Sequence, residues 1–117
     1  RSASEIGFKL ILNKMLYRLE RDTTMIIATV TLKLHIPWAG SLKEKRMEVK
    51  SLMAKLRNKF NVSVAEVGEQ DIHQIMVIAV AAIAADSAQS DSIIDHVVSF
   101  TESHTDAQLV SVEREMR

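Results

Sequence analysis

The strongest constraint on the fold is the strict alternation of residues 26–36, which are apolar at every second position. One face of this segment carries Ile26, Ala28, Val30, Leu32, Leu34 and Ile36. A period of two with β-branched residues is typical of a strand that buries one face. Pro37 lacks a backbone N–H for a sheet ladder, so that it ends the strand together with Gly40. The chain must therefore form a sheet with a core on one side.

Two amphipathic helices are predicted further along the chain. Ser41 and Glu44 have the spacing of a capping box, and apolar side chains then recur on one side as far as Lys59. Asp86 is a second cap signal, and it opens a helix with a broad apolar arc that ends near His104.

Three further strands complete the pattern, at residues 62–67, 72–84 and about 109–112. The segment 72–84 is apolar on both faces, which is typical of a central strand that is covered on two sides. From Met25 the order is β-α-β-β-α-β. This order predicts an α+β, ferredoxin-like fold with a four-stranded antiparallel sheet and both helices on one face.

Residues 1–24 lie outside this plan as an N-terminal extension, and residues 25–117 form the predicted domain. The extension has apolar residues at the spacing of an amphipathic helix, namely Phe8, Ile11, Leu12, Met15, Leu16 and Leu19. Two interpretations are open. In the first, the segment derives from a vector or from upstream read-through. In the second, it is a helix whose apolar stripe covers the open sheet face or an oligomer seam.

Composition excludes several classes of protein. The chain has no cysteine, which excludes a disulfide scaffold, a thiolate zinc site and a cysteine nucleophile. No apolar segment approaches the ~20 residues that span a bilayer, and no secretory signal is recognisable. We therefore expect a cytoplasmic protein without membrane contact.

Several short motifs carry a family resemblance, at residues 34–37, 41–46, 60–68, 70–71 and 112–115. In these motifs the chain resembles domain-of-unknown-function family 503, the YlxP-like family, over residues 25–116. The resemblance implies a small bacterial cytosolic protein of ferredoxin-like fold whose biochemical role is not established. Genes of this family often lie near those for ribosome-binding factor A, which implies a link to ribosome assembly. Where family members commonly have an aromatic residue, this chain has His73.

Charge is segregated along the chain, although fifteen basic and fifteen acidic residues cancel overall. Residues 41–60 hold seven basic and two acidic side chains, whereas residues 61–117 hold two basic and ten acidic ones. Four cations fall within roughly 60° of helical arc and are called here the basic ridge: Lys43, Arg46, Lys50 and Arg57. Three interpretations are open: a solvent-exposed face, an RNA-backbone contact, or a contact with an acidic patch of another protomer.

Trp38 precedes the basic helix and has two possible roles: it fills the end of the core, which we expect, or it stacks on a base. Stacking on the sheet itself is excluded, because the first strand offers Thr29, Thr31 and Lys33 instead of aromatic residues. The apolar open sheet face predicts a homo-oligomer, most simply a dimer. The candidate interface residues are Ile27, Ile75, Val77, Ala79 and Leu109.

No enzyme, metal or cofactor is predicted, because the histidines lack zinc-ligand spacing and the glycines are too scattered for a phosphate loop. The predicted function is an accessory factor that binds ribosomal RNA or a ribosomal particle through the basic ridge and Trp38. The alternative is an oligomeric ligand-sensing or scaffold module. Its candidate ligand-binding residues lie in an acidic stretch that turn chemistry explains more simply: Glu66, Gln70, Asp71 and His73.

Overall fold

The computed structural model describes the backbone of residues 3–22 and 25–117, and the side chains of residues 5–15 and 25–117. Its elements are α1 (Ala3–Asp22), β1 (Ile26–His35), α2 (Leu42–Lys59), β2 (Ser63–Gly68), β3 (Ile75–Ala84), α3 (Ser87–His104) and β4 (Gln108–Met116). After α1 the order is β-α-β-β-α-β, which confirms the predicted α+β, ferredoxin-like fold.

The four strands form one antiparallel sheet in the order β2-β3-β1-β4, with β1 and β3 in the centre as predicted. The third strand begins three residues later than the sequence suggests. Ile72, which the apolar pattern placed in the strand, donates its backbone N–H to the Glu69 carbonyl at 3.1 Å. Residues 72–74 belong to the turn between β2 and β3, because this turn bond takes the backbone of Ile72 away from the ladder.

The core lies between the sheet and the pair α2 and α3. The inward face of β1 is buried at every second residue, which confirms the alternation predicted for residues 26–36. The core is completed by Met76 and Ile78 of β3, Leu52 and Leu56 of α2, and Ile94 and Val97 of α3. Each buried aliphatic side chain of this kind stabilises the fold by about 1.5–3 kcal/mol.

Both predicted helix caps are present, and both have the same variation. Ser41 Oγ accepts from Glu44 N at 3.2 Å, and Glu44 Oε2 accepts from Gly40 N at 3.1 Å. At the start of α3, Asp86 accepts from Gln89 N in the same way. In a standard capping box, the side chain of the third helical residue accepts from the backbone N–H of the cap residue. In both caps here it accepts from the residue before the cap instead, so that each cap also fixes the loop that enters its helix.

The open face of the sheet carries no helix of the described chain and divides into two halves. On β3 it shows Ile75, Val77, Ala79, Ala81 and Ile83, beside Ile27 of β1. On β4 it shows Ser111, Glu113 and Glu115, which pair with the open-face residues of β1. The first half is apolar and the second is polar.

Leu109 corrects the predicted interface set. It pairs with the buried Leu34 and packs on the core, so that it lies on the helix side of the sheet. The reason is a bulge in β4: the register with β1 shifts between Lys33 and Leu34, which leaves Val110 unpaired. A bulge of one residue moves every side chain beyond it to the opposite face.

Helix α1 makes no contact with any other helix or strand that the structure describes. Phe8, Ile11, Leu12 and Met15, which form its predicted stripe, are exposed. Leu16 and Leu19 lie outside the residues whose side chains are described. The described part of the stripe therefore does not cover the sheet of its own chain, and its packing in an oligomer seam stays a prediction. No helix among the described residues is both long and apolar enough to cross a membrane.

Candidate nucleic-acid interface

The basic ridge lies on α2 beside the side that packs on the sheet. Val49, Leu52 and Leu56 are buried and fix the orientation of the helix. Lys43, Arg46 and Lys50 are exposed, and they lie on the flank of the helix that is adjacent to this buried side. From Lys43 to Lys50 the helix rises by about 10 Å, at ~1.5 Å per residue. Three cations are thus held in a row on a rigid element.

These three cations have no carboxylate partner among the described residues. Within the part of the chain that the structure describes, the salt bridges join Lys45 to Glu66, Arg114 to Asp95 and Arg117 to Glu115. The ten acidic residues that follow residue 60 therefore do not neutralise Lys43, Arg46 or Lys50. The row stays available to an external anion.

Arg57, the fourth member of the ridge, differs from the other three. Its guanidinium Nη2 donates a hydrogen bond to the backbone carbonyl of Val64 at 3.0 Å. Val64 belongs to β2, which is an edge strand of the sheet. Part of the hydrogen-bonding capacity of Arg57 is thus used inside the protein, although its side chain is exposed.

Trp38 lies on the surface, and the expectation that it fills the end of the core is wrong. Its side chain is 43% exposed, whereas the neighbouring Ala39 is fully buried. A tight turn explains the difference: Ala39 N donates to the Ile36 carbonyl at 3.1 Å, and this turn directs the small residue inwards. The indole is left outside, in the loop that leads into α2.

Lys45 is a residue that the sequence analysis missed. Its side chain lies among the apolar residues of α2 and is 2% exposed. Lys45 Nζ is 3.4 Å from Glu66 Oε2 and donates a hydrogen bond to the Glu69 carbonyl. Glu69 has φ 54, in the left-handed region that costs energy for a residue with a side chain. Lys45 thus joins α2 to the end of β2 and to the turn that follows it.

A signal for this burial is present in the sequence. Lys45 lies four residues before Val49 and seven before Leu52, so that it shares their side of the helix. Its charge placed it among the seven basic residues of the segment and concealed that position. Periodicity, and not residue type, identifies it as an inward residue.

The alternative ligand-binding residues are only partly brought together. Glu66 points to the helix side and pairs with Lys45, and no hydrogen bond or ion pair among the described residues joins it to Asp71 or His73. Gln70 and Asp71 are exposed in the turn. No group of three or more potential metal ligands occurs among the described residues. Glu66 belongs to β2, and only the residues after Gly68 form a turn, so that the simpler interpretation from turn chemistry is correct for Gln70 and Asp71 but not for Glu66.

A cleft of about 340 Å³ lies between α2 and α3, on a different flank of α2 from the ridge. Its polar lining includes Glu48, Lys55, His104 and Asp106. Lys55 Nζ donates to the His104 carbonyl at 3.0 Å and so closes the end of α3. The cleft combines the ammonium group of Lys55 with the carboxylates of Glu48 and Asp106, and it therefore lacks the single sign of charge that distinguishes the ridge.

Comparison with known proteins identifies the family. The family described as "Protein of unknown function (DUF503)" matches residues 27–114. The chain belongs to this family. The uncharacterized protein YlxP of Bacillus subtilis (strain 168) is 40% identical over 65 residues, which are 56% of this chain and 71% of that protein. The resemblance predicted from the motifs is confirmed. In this DUF503 member, the family match over residues 27–114 includes α2 with its basic ridge.

Proposed function

We propose that this DUF503 member is a cytoplasmic accessory factor that binds structured RNA, as found in ribosomal RNA or a ribosomal particle, through α2. One observation carries the proposal: Lys43, Arg46 and Lys50 form an exposed row without carboxylate partners among the described residues. A row of cations on one helix can follow a phosphate backbone, and each contact releases condensed counterions.

The mode of binding follows from the residue types. The ridge offers ammonium and guanidinium groups, which contact phosphates and fix the orientation of a protein on its RNA. On the open sheet face, β1 offers Thr29, Thr31 and Lys33. None of these is aromatic, so that they cannot stack bases in the manner of an RNA-recognition motif. Binding is therefore expected to depend strongly on salt and weakly on sequence.

The first prediction concerns the ridge. The double variant Arg46→Ala/Lys50→Ala is expected to bind ribosomal RNA more weakly than the wild type at low salt. Because two phosphate contacts are lost, the magnitude of the negative slope of log K against log salt should decrease by about 1.4–1.8. Filter binding or fluorescence anisotropy over a salt series measures both quantities.

The matched control is Lys9→Ala/Lys14→Ala, which removes the same charge from the exposed part of α1. It is expected to change the slope by less than half as much as the ridge variant. An equal decrease of the salt slope in the two variants would show that RNA binding depends only on net charge and not on the position of the ridge. A wild-type affinity that does not vary with salt would reject the proposed function.

The apolar half of the open sheet face supports a second candidate, an oligomeric scaffold. We propose that a second copy of the chain covers it. Ile83 is 64% exposed, and shallow depressions of about 200 and 230 Å³ lie along β3 and its neighbours. Exposed aliphatic patches of this kind usually mark interfaces, and a two-fold contact lets the same strip meet itself. Ile27, Ile75, Val77 and Ala79 belong to the strip. The candidate ligand residues of the scaffold module are Glu66, which is paired with Lys45, and Gln70, Asp71 and His73.

The second prediction tests the scaffold. Analytical ultracentrifugation of the wild type is expected to show a dimer of the 13.1 kDa chain. Ile83→Lys is expected to give a monomer, because it places an ammonium group in the apolar strip. Val110→Lys is the control, since Val110 is 60% exposed but lies on β4 outside the strip. A wild-type monomer at high concentration would exclude this candidate.

A further inference from the structure

We infer that the RNA partner has an unpaired base, in a loop, a bulge or a single-stranded segment, and that this base stacks on Trp38. The inference rests on the proposed function, because it assumes that the basic ridge holds the neighbouring phosphates. It adds a second recognition element to the ridge and restricts the class of RNA that this protein prefers.

Trp38 is held in place although its side chain is exposed. The turn bond from Ala39 N to the Ile36 carbonyl fixes the backbone on one side of it. Gln74 Nε2 donates to the Pro37 carbonyl at 3.4 Å and ties the same loop to the start of β3. An exposed indole on a fixed loop loses little conformational freedom on binding, which favours a role in recognition.

The indole ring has no aromatic partner among the side chains that the structure describes. The ring contacts among the described residues join Phe60 to Phe100 and Phe100 to His104, in the interior and at the end of α3. Trp38 is thus not part of an aromatic cluster, and its 43% exposure leaves part of its surface open to solvent. Every nucleobase has a complementary π-face, and stacking on an aromatic side chain contributes about 1–3 kcal/mol per base.

Trp38 also lies close to the ridge along the chain. Lys43 follows Trp38 by five positions, so that their Cα atoms are at most about 18 Å apart, at ~3.6 Å per extended residue. Phosphates that contact Lys43 and Arg46 would therefore belong to nucleotides within reach of the indole. In a continuous duplex the bases are stacked on each other and present no free face, whereas unpaired bases can be turned outward.

The test uses two RNA probes of the same length: a blunt duplex, and the same duplex interrupted by an internal single-stranded loop. Trp38 is the only tryptophan of the chain, so that its fluorescence reports on this position alone. The looped RNA is expected to quench the fluorescence, and the blunt duplex is expected to leave it nearly unchanged. By anisotropy of labelled RNA, Trp38→Ala should weaken binding of the looped probe by about 5- to 150-fold.

Two variants serve as controls. Trp38→Phe keeps an aromatic face and is expected to retain most of the preference for the looped probe. Met47→Ala removes an exposed apolar side chain that lies on α2 and not in the Trp38 loop. It is expected to leave the affinities for both RNA probes unchanged. Circular dichroism of each variant shows that the fold is retained.

The outcomes separate the inference from the proposed function. Binding of both probes with equal affinity, unaffected by Trp38→Ala, would overturn the inference and leave the ridge as the whole site. Absence of binding to either probe at low salt would overturn the proposed function as well. A preference for the looped probe that is lost in Trp38→Ala and kept in Trp38→Phe is the expected result.

Discussion

Replacing Lys45 with alanine is expected to lower the free energy of unfolding by about 3–5 kcal/mol, the range for removal of one partner of a buried ion pair. The change removes the cation beside Glu66 and leaves Glu66 Oε2, which is buried and receives no hydrogen bond, without any compensating charge. The Glu69 carbonyl loses its donor in the same step. The loss should lie near the lower end of this range, because the Glu66 side chain is 22% exposed and part of its charge stays solvated.

Urea denaturation measures this loss as a fall in the midpoint without a change in slope. Lys43→Ala is the matched control, since it removes the same residue type from the exposed side of the same helix. A surface change of this kind is expected to alter the stability by about 0.5 kcal/mol or less. The double variant Lys45→Met/Glu66→Leu should recover most of the loss, because it replaces the pair with apolar side chains. Equal midpoints for Lys45→Ala and Lys43→Ala would show that the buried pair contributes nothing.

The second large effect is expected at Leu32. Its side chain is fully buried in the middle of β1, where its neighbours across the sheet are Ile78 of β3 and Val112 of β4. Leu32→Ala leaves a cavity between the central strands and the helices. Such changes lower the free energy of unfolding by about 2–5 kcal/mol. Thermal and urea unfolding should agree on this loss.

Val110→Ala is the control for Leu32→Ala. Val110 is an aliphatic residue of the same sheet, but it lies at the bulge of β4 and is exposed. It is expected to change the stability by about 0.5 kcal/mol or less. If the two variants were equally stable, the assignment of the core to the inward face of β1 would be wrong.

The fold could be predicted because its main signals are local. The alternation of β1 and the cap residues Ser41 and Asp86 each act within a few residues, and each appears in the structure at the predicted place. Right-handed connections then leave few arrangements of four strands and two helices. The start of β3 was misplaced because an apolar residue such as Ile72 fits a turn as well as a strand when its backbone bond is local.

The errors at Leu109, Trp38 and Lys45 have a common physical origin. Each depends on a partner that is distant in sequence or on a backbone detail that side-chain type does not reveal. The face of Leu109 depends on the bulge at Val110, and the exposure of Trp38 depends on a turn that directs Ala39 inwards. The partner of Lys45 is Glu66, on another element. Lys43, Arg46 and Lys50 were predictable as a row, but their lack of acidic partners within the described part of the chain required coordinates.

The inward position of Lys45 limits how α2 can rotate about its own axis. A turn of one residue, about 100°, would carry the ammonium group into water and bring a neighbouring side chain towards Glu66. Glu44 in that place would repel the carboxylate, and Arg46 would have to bury its larger guanidinium group. The inward cation thus acts together with Val49, Leu52 and Leu56 to select one azimuth of the helix, and this azimuth decides which lysine and arginine side chains reach the outside.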